Sequence, residues 1–203
     1  MGICIFCQKD RKLTKEHIWS DWIGVLLGET EEYTIHSRKE AEEPRKWKTI
    51  GLDHVVRLVC AECNNRWMSD LEREAKRLLS DYIKFGASFS FLPSGIAVLA
   101  AYAFKCAIIS DNQYRERKPF FTVSERVEFM RHLTIPKGIQ MWIASSGDKT
   151  FNGHFSSFQF NVGAPNGPLR SSSFFSFTWA SGFLIFQVLA VRWKQSHEDP
   201  GSW

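Results

Sequence analysis

Cys4 and Cys7 stand three apart in CIFC, and Cys60 and Cys63 repeat the spacing in CAEC. A C-x-x-C turn presents two sulfur donors from one tight loop, and two such turns supply the four thiolates of a tetrahedral Zn²⁺ site. Two disulfides are the competing use of four cysteines. They belong to secreted chains, and no basic, then apolar, leader is visible at this N-terminus. A redox C-x-x-C would want a thioredoxin-like setting, which two such pairs match poorly. The spacing therefore predicts one structural zinc ion on Cys4, Cys7, Cys60 and Cys63. The fifth cysteine, Cys106, lies in the apolar run IAVLAAYAFKCAII and reads as core packing.

Between the two pairs lies Glu16-His17, and directly after the second pair come Asn64 and Asn65. An acid-histidine pair could move a proton and hold a cation, or simply mark a helix start, where the dipole favours a carboxylate. The asparagines could ligate through side-chain oxygen or cap the following helix. His54 and Asp53 precede the second pair; a histidine at a strand edge needs no chemistry. Trp67 falls on an apolar helix face, whereas Trp19 and Trp22 could pack or stack on bases. Arg66 could touch a phosphate or lie at the surface, and Glu72 is a reserve metal ligand two turns past the cysteines. His154 suggests no chemistry of its own.

The order C-x-x-C, Glu-His-Ile, then Leu-Val-C-x-x-C-Asn at a helix start resembles the zinc-supported HNH endonucleases over roughly residues 1–75. The resemblance implies a treble-clef-like frame carrying a ββα-metal site. It implies His17 as general base, Glu16 and Asn64 as ligands of a catalytic Mg²⁺ or Mn²⁺, and His54 as the residue orienting the base. The family's proline after the histidine is Ser20 here, and its middle asparagine position is Val55, one residue from His54. The expected function is phosphodiester hydrolysis in nucleic acid, DNA ahead of RNA, in anti-phage defence or a mobile element, beside a protein partner such as an ATPase. The rival expectation is a non-catalytic zinc module that binds nucleic acid or a protein.

The elements that must position these residues follow from periodicity. A short strand near Lys12–Thr14 is expected, then a helix beginning around His17, then a long connection over residues 24–52 with one short strand at Glu32–His36. HVVRLV reads as a strand leading into Cys60. Trp67, Met68, Leu71, Ala75, Leu78 and Leu79 share one helical face. Further helices are expected over Ser94–Ile109 and across ERVEFMRHL. From Gly138 the period changes: GIQMWIAS, TFNGHFSSFQFNVG, SSSFFSFTWA and GFLIFQVLAVRW read as antiparallel strands. The fold class is α+β, with a zinc head over residues 1–80 and a helix-plus-sheet domain over 81–203.

Composition sets the outer limits. At 203 residues with 17 Phe and 8 Trp, the chain can bury a sizeable aromatic core. Residues 1–80 hold 14 Lys and Arg against 14 Asp and Glu, and the remainder 12 against 8. Bulk charge is thus not that of a strongly basic nucleic-acid binder, although local clusters such as Lys9/Arg11/Lys12/Lys15 could meet phosphates. Lys105 interrupts the longest apolar run, so no membrane span and a cytoplasmic location are expected. Open edges of the C-terminal sheet are compatible with a homodimer.

Overall fold

The computed structural model describes residues 1–18, 20–28, 32–37, 45–50, 55–86, 90–113, 117–147, 154–162 and 172–193. Strands β1 (Gly2–Ile3) and β2 (Asp10–Arg11) pair antiparallel and flank the first cysteine turn. That turn closes through Gln8 N donating to Cys4 O (3.0 Å) and Cys4 N donating to Lys9 O (3.1 Å). Gln8 takes a positive φ of 58°, and its side chain donates to Cys4 O and Ile5 O, which holds a non-glycine residue in the left-handed region.

Strand β3 (Leu13–His17) pairs antiparallel with β6 (Val55–Cys60), with a bulge between Thr14 and Glu16. Here the structure corrects the expected helix at His17. Helix α1 covers Asp21–Leu27, and Glu16-His17 ends a strand. The β-branched β6 needs a partner along its length, and that demand overrides a helical reading of KEHIW. The 24–52 connection also carries more structure than expected: β4 (Glu32–Ser37) and β5 (Arg45–Ile50) form an antiparallel pair. Cys60 ends β6, and the short helix α2 (Ala61–Cys63), a π-helical turn (Asn64–Met68) and α3 (Ser69–Phe85) follow without a break. Helix α3 continues five residues past the expected limit of the head at residue 80.

Helix α4 (Pro93–Asn112) starts with proline at its first position, where the missing N–H costs nothing. It is long and apolar enough by composition to cross a membrane, yet most of it is buried inside this fold, against α3 and the C-terminal sheet. Helix α5 (Val123–His132) begins at a reciprocal capping box between Thr122 and Glu125. Strands β7 (Ile139–Ser145), β8 (His154–Val162), β9 (Ser172–Ser181) and β10 (Leu184–Trp193) form one antiparallel sheet in the order β7-β10-β9-β8. Alternation puts Phe175, Phe177, Trp179, Phe186 and Val188 on its buried face.

One core joins these layers. A chain of aromatic contacts runs Phe6–Trp67 (4.9 Å between centroids), Trp67–Phe129 (5.8 Å), Phe129–Phe104 (4.8 Å), Phe104–Phe121 (5.0 Å) and Phe121–Phe175 (5.1 Å). It leads from the cysteine turn to the sheet. Buried Arg126 of α5 reinforces the link by donating to Ile5 O (3.0 Å) and Phe121 O (2.8 Å).

The β9–β10 hairpin docks on the end of α3. Phe183 N donates to Ile83 O (3.1 Å), satisfying a terminal helix carbonyl that has no partner within the helix. Gly182 makes this approach with φ +56°, and a Cβ there would fall on the Ile83 carbonyl. Gly182→Ala is expected to cost about 2–5 kcal/mol, from a strained φ together with overpacking. Urea unfolding of the two proteins at one pH checks this.

Candidate functional site: a four-cysteine centre beside a buried ion triad

The fold brings both cysteine pairs together. Cys4 and Cys7 arrive on the turn between β1 and β2, Cys60 on the end of β6, and Cys63 one helical turn later. All four sulfurs lie within 4.8 Å of one another, and Cys4, Cys60 and Cys63 are buried. Cys7 Sγ and Cys60 Sγ are 3.7 Å apart, far beyond a disulfide. A Zn–S distance of about 2.3 Å in a tetrahedron demands sulfur–sulfur edges of roughly 3.8 Å. The group can therefore hold one metal ion, and its dimensions and all-sulfur donor set suit zinc.

The polar surroundings already favour thiolate at one corner. A hydrogen bond from the Cys63 side chain, aided by backbone donors that include Cys60 N at 3.4 Å, outweighs burial and draws the Cys4 thiol down to about 4. The same contact, then burial, pushes Cys63 up. Trp67 lies close enough to lower the Cys63 thiol, although its buried Nε1 makes no hydrogen bond among the described residues.

Asn64, the residue after Cys63, caps no helix N-terminus with its side chain. Its Nδ2 donates to Thr14 Oγ1 (3.2 Å) and Lys15 O (3.1 Å), tying the helix start to β3 two residues before His17. The π-helical turn that begins at Asn64 contains a non-helical Arg66 (φ −111°, ψ −105°) and brings Trp67 onto Phe6. Arg66 itself is exposed, 3.6 Å from Glu62.

Glu16 turns inward, with 5% of its surface exposed, and accepts from Lys105 Nζ at 3.2 Å. Lys105 is 0% exposed and also donates to Glu72 Oε1 at 2.5 Å. Glu72 accepts in addition from Ser20 Oγ (2.7 Å), and Ser20 Oγ meets Tyr102 OH at 2.9 Å. Burial pushes the Glu16 carboxyl above its ordinary range despite the lysine. Burial acts upward on Glu72 as well, but the charge of Lys105 and the hydrogen bonds from Lys105 and Ser20 leave it below its usual value. Desolvation works against the Lys105 ammonium, yet Glu72 and then Glu16 hold it charged, well above the usual lysine range. The triad is a buried ammonium shared unequally by two carboxylates.

His17, adjacent on β3, is half-buried and close enough to favour the ionised forms of both Glu16 and Glu72. His54, Asp53 and Trp19 lie outside the described residues. Trp22 and Trp67 pack against the core, and Cys106 is buried in α4 as expected. Glu72 thus joins Glu16 through a lysine, and the structure adds Ser20, Tyr102 and Lys105 to the site. The signal for Lys105 was in plain view, since a lysine inside an apolar helix requires buried carboxylates. Among the described residues, the four cysteines are the one group of three or more Cys, His, Asp or Glu side chains gathered closely enough to hold a metal.

The hairpin beside this site carries exposed cations. The bulge sets Lys15 of β3 opposite Arg57 and Leu58 of β6, and Lys15, Arg57 and nearby Lys12 are all exposed. Among the described residues no carboxylate pairs with Lys15 or Arg57. Comparison with known protein families, with curated proteins and with solved structures finds no match for this chain.

Proposed function

We propose that the N-terminal head is a zinc-held nucleic-acid-binding module, built on a treble-clef frame like that of the HNH nucleases it resembles, in which Glu16 serves the fold. The observation that carries this reading is the Glu16–Lys105–Glu72 triad. A carboxylate that neutralises a fully buried ammonium would have to abandon that charge in order to ligate Mg²⁺ or Mn²⁺, at a cost of several kcal/mol. Binding then falls to the paired cations of the hairpin. Among the described residues Lys15 and Arg57 stand side by side with no carboxylate paired to either, an arrangement that repels itself and is relieved by phosphates.

A second reading, metal-dependent cleavage with His17 as base and Asn64 as a ligand, draws on one feature. Half-buried His17 lies beside two carboxylates, on the strand that Asn64 ties to the metal centre. The two readings part in one set of measurements on the full chain. Binding of labelled duplex DNA is followed by anisotropy at several salt concentrations, and nicking of supercoiled plasmid and of RNA is followed in Mg²⁺ and in Mn²⁺. The double variant Lys15→Glu/Arg57→Glu is expected to bind at least tenfold more weakly, with a salt slope smaller by about two. Neither wild type nor His17→Ala is expected to cut. Cleavage that disappears in His17→Ala would establish the nuclease reading instead.

A further inference from the structure

The outer face of the C-terminal sheet takes no part in the core, and its composition is unusual. Phe158 and Phe160 of β8 are 49% and 41% exposed, and Trp142 of β7 is 47% exposed. Phe160 stacks on Phe174 of β9 with centroids 4.9 Å apart and planes 6° from parallel, and Phe158 extends the row at 5.9 Å. Register places Ser156, Thr178, Gln187 and Trp142 in one cross-strand row beside them. Within that row the Gln187 amide reaches Thr178 Oγ1 at 3.5 Å. Aromatic faces therefore alternate with hydroxyls and amides across the sheet. An interface built for apolar burial alone would not place this row at its centre.

Charge points to the kind of ligand. Not one Asp or Glu occurs in β7, β8, β9 or β10. On the opposite face of the sheet, under β8, β9 and β10, Gln159, Ser173 and Arg192 line an open cavity of about 470 Å³ together with Lys118 and Thr122. Lys118 is exposed, while Arg192 is already held by Glu125 at 2.5 Å. Strands free of carboxylates, with stacked rings on one face and an exposed cation on the other, fit a flexible polyanion whose bases are free to stack and whose backbone can turn over the β8 edge. We propose that this face is a platform for single-stranded nucleic acid, with bases continuing the Phe158–Phe160–Phe174 stack and the sugar-phosphate chain passing over the β8 edge towards Lys118. The proposal rests on the nucleic-acid reading of the protein but not on the hairpin cations that bind duplex.

The test uses the full chain, a fluorescent single-stranded oligothymidylate of about a dozen nucleotides, and a duplex of mixed sequence. Phe158→Ala/Phe160→Ala changes two exposed side chains, so an unaltered near-ultraviolet dichroism spectrum and melting temperature are required first. The double variant is expected to lose single-strand affinity by tenfold or more while duplex affinity stays within twofold, because each base–ring stack contributes strongly. Lys15→Glu/Arg57→Glu should do the reverse. If the hairpin variant leaves duplex binding intact, the head reading fails and the platform stands on the single-strand result alone. Absence of single-strand binding by the wild type, or binding unchanged in the Phe variant, overturns the platform. So does light scattering that shows a wild-type dimer made monomeric by the Phe variant with oligonucleotide binding retained, which would assign the face to a second copy.

Discussion

Replacing Cys63 with serine is expected to abolish zinc binding by the four-cysteine cluster and unfold the head around it. Cys63 is buried, shares the centre with Cys4, Cys7 and Cys60, and contacts Met130 at 3.9 Å. A structural zinc contributes on the order of 10–16 kcal/mol of apparent binding energy in small domains, comparable to or larger than the total stability of most proteins, about 5–15 kcal/mol. The head has little with which to replace that. Its strands β1 and β2 are two residues each, and the first cysteine turn is joined to the rest by few bonds, among them Ile5 N to Leu58 O and Arg126 to Ile5 O. Elemental analysis should find about one zinc per wild-type chain and well under half that in Cys63→Ser, by the four-ligand rule for structural sites. The melting temperature should fall by roughly 10 °C or more, since each kcal/mol is worth about 2–4 °C at this size. A variant that keeps a full metal equivalent and the wild-type melting curve would show that Cys63 does not hold the metal, and wild type free of zinc would show that the four cysteines are not a metal centre.

What the sequence makes legible here is local chemistry and local period. The cysteine pairs announce themselves because a chelate turn needs its donors three apart, and the fold closes both pairs on one point. Leu71, Ala75 and Leu79 mark one side of α3 through the 3.6-residue period, and all three are buried. The C-terminal strands declare themselves through aromatics separated by Gly, Asn and Pro. Misreadings occur where a distant partner decides. KEH has no strong preference of its own, and it becomes strand because Val55–Cys60, some forty residues later, needs a neighbour. The β4–β5 pair is hidden for a related reason, since RKWKTI alternates charge with apolar residues too weakly to stand out from a loop.

The candidate site divides along the same line. Glu16, Glu72 and Lys105 are separated by 33 to 89 positions, and no spacing rule links them. A motif can nominate Glu16 as a metal ligand, but only three-dimensional packing reveals that its carboxylate is paired with a buried lysine. Ser20 is instructive in the same way. It stands where the resemblance leads one to expect proline, and its hydroxyl joins Glu72 to Tyr102 in a way proline could not. Ser20 and the buried lysine thus belong to one hydrogen-bonded cluster, both meeting Glu72.

That cluster yields the second large effect. Lys105→Met removes the ammonium but keeps its volume, leaving Glu16 and Glu72 buried without a counter-charge. The expected loss is about 3–5 kcal/mol near neutral pH, the usual consequence of breaking a buried ion pair from one side. The sign of its pH dependence is distinctive. In the wild type, Glu16 is held above its ordinary range by burial, so its share of stability declines as pH rises past the unfolded value of about 4.3. Glu72 is held net below its usual value, so its share is present above that value and is lost as pH falls through its folded pKa. The two slopes have opposite signs and act on either side of that value, so together they set a stability maximum near it. Without Lys105 both carboxyls move upward, both slopes take the sign of Glu16, and the variant should lose stability steeply from about pH 4 to pH 7. Denaturant unfolding at pH 5 and pH 8 reads this directly: the deficit against wild type should be clearly smaller at pH 5. Adding Glu16→Gln and Glu72→Gln to Lys105→Met should recover most of the loss at pH 8, because neutral amides remove the uncompensated charge. A single Lys105→Met variant as stable as wild type at both pH values would mean that the triad does not hold the site together, and Glu16 would again be available to a catalytic ion.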